Sequence, residues 1–203
     1  MHLFYKPGAC SMAAHIVLNE VGAEFTRESV DTAKGLTESG ADYAAINPRG
    51  YVPALRLADG TVITENAAIL QYLGDQFPRH ALVPAAGGLE RVRLQEALSF
   101  LTSELHKAFG PFFSGREMTG AERERAVAAL GRRIGQFATM LDGGDYLVGA
   151  RLTVADFLAF VILNWSNFIG VSLADWPVVE GYMARIAARP SVQQTLRAEG
   201  LAA

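Results

Sequence analysis

The chain has 203 residues, half of them hydrophobic and 19% charged, with a formal net charge of −3. This is a globular balance, with material for one large domain or two modest ones. No run of Lys and Arg interleaves with aromatics, so neither nucleic acid nor an anionic membrane is expected as a partner. The most apolar run, residues 154–165, contains an aspartate and is too short to cross a bilayer. The opening MHLFYKPGAC lacks a charged segment followed by a long apolar one, so no signal peptide is read. One cysteine forms no internal disulfide and is too few for a zinc cluster. A reducing, cytoplasmic setting with no metal and no cofactor is expected.

Residues 1–78 alternate in type. HLFYK (2–6) has strand composition. SMAAHIVLNEVG (11–22) reads as a helix, with Met12, Ile16, Val17 and Val21 near helical spacing and Gly22 as its stop. EFTRESV (24–30) reads as a second strand, and TESGADYAAINP (37–48) is turn-rich with room for one short helix. In ALRLADGTVIT (54–64) two alternating apolar runs flank Asp59-Gly60, a dipeptide that tolerates positive φ, and the pattern predicts a hairpin. ENAAILQYLGDQF (65–77) reads as a helix entered through Thr64 as N-cap. Prolines 78 and 84 and glycines 87 and 88 mark a linker, assigned to residues 79–88. Residues 89–203 read as all helical. Helices are predicted over 89–109, over 121–141 and over 152–165, with two shorter ones starting near Pro177 and Ser191. The middle helix places Val127, Leu130, Ile134, Phe137 and Leu141 on one buried stripe, and the run at 152–165 is apolar nearly all round. The fold class is therefore α/β plus all-α, a βαβαββα unit followed by a helical domain.

Cys10 lies where the first strand gives way to the first helix. The positive end of a helix and its unpaired N–H groups lower a thiol pKa and favour the reactive thiolate. The other reading is a small buried hydrophobe. Its place in a turn beside Gly8, off any apolar stripe, favours reactivity. The strand–turn–Cys–helix opening resembles thioredoxin-like folds, but residues 10–13 read Cys-Ser-Met-Ala, so the second cysteine of a C-x-x-C pair is missing. Cys10 then meets an outside thiol or an electrophile. Pro53 stands just before a strand, and both a cis and a trans Val52-Pro53 bond are open. A cis bond would offer the Val52 N–H and C=O to a peptide-like ligand. Glu65 and Asn66 open a helix, where they serve either as ordinary capping residues or as receivers of an ammonium and a carboxylate.

Cys10 after FYKPGA, Val52-Pro53 in INPRGYVPAL and Glu65 opening its helix together resemble the glutathione transferases, most of all the bacterial beta class. The likeness extends through SELHKAF (103–109), LTVADF (152–157), Asn164-Trp165 and RPSVQQTLRAEGL (189–201). The resemblance implies a thioredoxin-like N-terminal domain, a helical C-terminal domain and a homodimer. It implies that Cys10 faces the glutathione sulfur and can hold it as a mixed disulfide; Ser11, a helix-start hydroxyl next to it, and His106, an imidazole able to assist a thiolate, are the further catalytic candidates. Val52 would pair with the cysteinyl backbone of glutathione, Pro53 would be cis, and Glu65 and Asn66 would bind the γ-glutamyl end. His106 and Lys107 would line the cleft, with Ser99, Ser103 and Glu104 on the same helix. The family often has serine where this chain has Asn66, and an asparagine aligned with Ser99. Beta-class members often have a lysine aligned with Gly35, and here Lys34 stands one place away. Ser99, Ser103 and His106 are spaced to share one helix face. Tyr5 and Ser11 flank Cys10 as hydrogen-bond donors to sulfur, although Tyr5 equally suits strand packing. Phe109, Trp165 and Tyr5 are candidates for an electrophile pocket, with core packing the competing role of Trp165. Thr153 and Asp156 form a helix cap, a folding role.

The expected activity is conjugation of the glutathione thiol to small hydrophobic electrophiles. Two alternatives stand beside it: a glutathione-dependent thiol–disulfide or peroxide reductase with Cys10 as nucleophile, and a non-catalytic binder of hydrophobic ligands.

Overall fold

The computed structural model describes residues 1–201; Ala202 and Ala203, which close the expected helical domain 89–203, lie outside the described residues. The chain divides into two units: Met1–Val83 with the C-terminal segment from Ala187, and Pro84–Ile186.

The first unit runs β1 (His2–Tyr5), α1 (Met12–Glu20), β2 (Thr26–Asp31), β3 (Leu36–Thr37), a 3-10 turn (Tyr43–Ala45), β4 (Ala54–Arg56), β5 (Val62–Thr64) and α2 (Asn66–Gln76). The sheet order is β3-β2-β1-β4-β5. β1 and β2 are parallel with Leu3 opposite Arg27, and the other pairs are antiparallel. A parallel pair requires a crossover, and α1 supplies it. β1 is central and buried on both faces, which is why its apolar residues are consecutive. Phe4 packs with Val30, Tyr43 and Ala54 on one face. Tyr5, on the other, meets His15 of α1 at 5.7 Å between ring centroids. The Asp59-Gly60 hairpin is present between β4 and β5, with Gly60 at φ +89°.

Three local details differ from the sequence reading. β3 is a strand of two residues, too short to leave a period-two pattern. The short middle helix is a single 3-10 turn capped by the Asp42 carboxylate, which accepts from the Ala44 N–H. Thr64 ends β5, and the N-cap of α2 is Glu65.

In the second unit α3 (Leu89–Phe100) passes through a π-helical turn (Leu101–Leu105) into α4 (His106–Phe109) and a 3-10 turn (Gly110–Phe113). α5 (Gly120–Leu141), α6 (Val154–Ile169) and α7 (Pro177–Ala187) complete it. α6 is buried from Val154 to Leu163, as its all-round apolar sequence requires. Its cap is the buried Asp156, which accepts from the Thr153 N–H and hydroxyl, the Leu147 N–H and the Tyr182 hydroxyl. Four donors on one carboxylate satisfy a charge that would otherwise be costly to bury.

The last helix, α8 (Pro190–Ala198), belongs to the first unit and packs on α1. Beside the expected 1–78 and 89–203, the break between units falls after Val83, inside the expected linker, and the chain returns to its N-terminal unit at Ala187. The physical cause is the face of α1 turned from the sheet. Residues Met12 to Leu18 are all buried, so that face needs a cover. Asn19 donates to the Thr195 hydroxyl at 2.8 Å, and Arg189 and Ser191 both bond the Glu20 carboxylate.

Candidate active site

The turn that carries Cys10 is built from backbone. Gly8 takes φ +72°, a conformation open to glycine, and the Ala9 N–H reaches the Lys6 carbonyl at 3.0 Å. Ser11 closes the turn. Its hydroxyl donates to the Lys6 carbonyl at 3.2 Å and accepts the Lys6 N–H at 3.1 Å. The Glu199 carboxylate then accepts the Gly8 N–H at 2.9 Å and bonds His15 Nδ1 at 2.8 Å, the second between buried side chains. The active turn is thus anchored by the end of the chain.

Cys10 sits at the junction of three segments. Its thiol donates to the Val52 carbonyl at 3.4 Å, and its own carbonyl accepts the Asn66 Nδ2–H at 2.6 Å. The Val52-Pro53 bond is cis. The Tyr51 carbonyl, one peptide earlier, accepts from the Tyr43 hydroxyl at 2.8 Å and from Asn47 Nδ2 at 2.6 Å, which orients the Val52 N–H. That N–H has no partner among the described residues. Glu65 adopts φ +70° and ψ +120°, rare for a residue with a Cβ and of order 1–3 kcal/mol in cost. Its carboxylate is exposed, 3.7 Å from Arg49.

The electrostatics correct the expected thiolate. Burial pushes the Cys10 thiol up to about 11, outweighing the opposing hydrogen bonds from Asn66 and the backbone, while the Glu65 charge adds to the rise. The helix of α1 starts at Met12, two residues on, so its dipole end is a weaker influence than loss of water. Burial thus favours the thiol form of Cys10 over the expected thiolate.

The other expected residues divide clearly. Ser11 is fully buried with both hydroxyl functions spent on Lys6, so it is a structural lock and not a donor to sulfur. The Tyr5 hydroxyl accepts from Arg27 at 2.8 Å and its ring stacks on Arg27 and His15, so it is packing and neither a sulfur donor nor a pocket wall. Gly35, at φ +69°, closes a turn on the Asp31 carbonyl, and Lys34 is an exposed side chain paired with Asp31 at 3.0 Å.

In the second unit the π-helical turn changes the expected helix face. The His106 N–H reaches back five residues to the Leu101 carbonyl. The wider turn slips the register, so the simple spacing of Ser99, Ser103 and His106 no longer puts them on one stripe. The Ser103 hydroxyl donates to the Ser99 carbonyl at 2.7 Å, and both residues are exposed, as is Lys107. Glu104 pairs with Arg133 at 2.7 Å. His106 stacks edge-on against Trp165 at 4.8 Å, and burial lowers its pKa, which keeps it neutral. Phe109 and Trp165 are buried and 5.6 Å apart. Phe109 is therefore core and offers no surface to an electrophile. Phe113 lies 5.7 Å from Trp165 and is 52% exposed, and the sequence reading missed it. It also missed Tyr43, Asn47, His15 and Glu199. A histidine inside the apolar helix of residues 11–22 was the available signal that a buried partner must exist.

Family models agree with this geometry in both units. The glutathione S-transferase N-terminal domain matches residues 8–76, and the glutathione S-transferase C-terminal domain matches residues 100–190. Glutathione S-transferase GstA of Escherichia coli O157:H7 is 43% identical over 99% of this chain and 100% of its own length. A bacterial beta class glutathione S-transferase of Sphingomonas chungbukensis is 44% identical with a TM-score of 0.94, each chain covered completely. A sphingomonad glutathione S-transferase solved in complex with glutathione gives the same identity, coverage and score. Both family-model matches and the full-length relatives point one way, and the chain belongs to the glutathione S-transferases, with beta-class likeness throughout its length.

Proposed function

We propose that this transferase binds glutathione along the Val52 edge and joins its sulfur to small hydrophobic electrophiles. The observation that supports the reading is the meeting of the Cys10 thiol with the Val52 carbonyl at 3.4 Å, beside the N-terminus of α2. A peptide-like thiol paired with the oriented Val52 N–H places its own sulfur near position 10. The first-turn N–H groups of α2 suit a carboxylate, and the exposed Glu65 carboxylate suits an ammonium. Cys10, its thiol form favoured by burial, then turns its single S–H from the Val52 carbonyl to the glutathione sulfur and stabilises the thiolate form of that ligand. The thiolate attacks the electrophilic carbon, a C–S bond forms, and the leaving group departs with its electron pair. The aromatic group around Trp165, with Phe113 exposed, supports an apolar second substrate.

The same observation weighs against the reductase reading. Burial holds the Cys10 thiol up at about 11, against the ready ionisation that a nucleophilic role needs. A homodimer is supported by Leu89 and Val92 of α3, exposed apolar residues three apart that a second copy would cover. No helix among the described residues is long and apolar enough to cross a membrane.

The test is conjugation of a chloronitroarene. Wild type should turn over only with glutathione, and Cys10→Ala should keep activity with kcat lowered about fivefold to tenfold, the loss of one donated hydrogen bond. Complete loss of conjugation in Cys10→Ala, together with disulfide reduction by wild type, would make Cys10 the nucleophile and overturn the reading.

A further inference from the structure

We propose that Asn66 is a positioning residue for Cys10, tying the cysteine-bearing turn to the first turn of α2. The inference rests on the reading above that glutathione lies at this junction.

The argument starts from one amide. Asn66 is the first residue of α2 and only 8% exposed. Its Nδ2 donates to the Cys10 carbonyl at 2.6 Å. This contact settles which way the carboxamide points, because the reverse orientation would set two acceptor oxygens against each other. Its Oδ1 is buried and has no partner among the described residues. A buried acceptor without a partner is costly, so the orientation is held by the Nδ2 bond and not by the needs of the amide as a whole. One of the two Nδ2 hydrogens is committed to the Cys10 carbonyl, which ties the side chain to the cysteine-bearing turn.

The tie has a mechanical meaning. The Cys10 carbonyl accepts two bonds, from Asn66 and from the Ala13 N–H at 3.2 Å, and the second belongs to the start of α1. Asn66 thus joins the opening of α2 to the opening of α1 through the peptide that carries the thiol. Asn66 also partly opposes the effect of burial on the thiol, and the charged group acting there, the Glu65 carboxylate, works the other way. A serine hydroxyl ends one bond short of a carboxamide nitrogen and would not make the same span.

Two variants test this. Asn66→Asp keeps the shape and suits a helix start, but it replaces the donor with an oxygen facing the Cys10 carbonyl. Asn66→Ser retains a small polar group without the reach. In ligand-free enzyme, amide exchange of the segment 6–13 should be about fivefold faster in both variants, with β1 and α6 unchanged. In conjugation assays kcat should fall about fivefold with KM for glutathione within about twofold of wild type. Unchanged exchange in both variants would overturn the proposal, and with a tenfold rise in KM it would make Asn66 a ligand contact instead. Should wild type fail to conjugate at all, the functional reading fails, while the ligand-free exchange still decides the role of Asn66.

Discussion

The Cys10 thiol is a contest between two effects of comparable range. Helix-start donors favour the anion, and burial disfavours it; here burial wins and the pKa stands at about 11. Alkylation by iodoacetamide should accelerate about tenfold per pH unit between pH 8 and 10, and a midpoint near 7 would refute the neutral thiol. The sign for stability follows from the same value. A free thiol ionises near about 8.5, so the unfolded chain loses its proton first, and Cys10 costs stability as pH rises from there through about 11. Below that window the group costs nothing. Ser11 carries a different lesson. A hydroxyl beside a cysteine looks like a catalytic donor, yet both its functions hold the Lys6 backbone. Ser11→Ala should lower unfolding free energy by about 1 kcal/mol in urea titration, because the Lys6 N–H loses its partner while the Lys6 carbonyl keeps the Ala9 N–H. Nothing in the sequence distinguishes the two roles, since the choice depends on which way a single torsion turns.

The helices and strands follow local chemistry closely. β1 is a consecutive apolar run because it is the middle strand, and the hairpin closes where Asp59-Gly60 allows positive φ. The stripe of Leu130, Ile134, Phe137 and Leu141 is the buried side of α5. Where an element is short or irregular, the pattern fails. The π-helical turn inserts its extra width within a sequence that reads as one continuous helix, since no residue type specifies it. Close packing at α2 also escapes periodicity. A Cβ at Gly74 would stand 2.0 Å from Val83 Cγ2, so the helix lies against that segment only because the residue is glycine. Gly74→Ala should therefore destabilise by about 1–3 kcal/mol despite a gain in helix propensity, and a rise in Tm would contradict this contact.

At the level of the whole chain, the N-terminal unit is completed by the C-terminal helix. α8 covers α1, and Glu199 holds both His15 and the Gly8 turn. Removal of the segment from Arg189 onward should expose the buried face of α1, and the truncated protein should bind a hydrophobic dye and lose cooperative thermal unfolding. Retention of a sharp transition would show that α1 needs no such cover. The sequence by itself determined the two-part architecture, the first strand and helix, the hairpin and the main helices, because these depend on local periodicity and turn chemistry. Only the tertiary structure decided that the chain returns to its first unit, that Ser11 and Tyr5 are structural, and that the thiol is neutral. Each of these turns on burial and on partners distant along the chain, and Gly8 and Glu199 meet across 191 positions. Neither composition nor spacing encodes such a distance, because desolvation and hydrogen-bond choice exist only once the surfaces have closed.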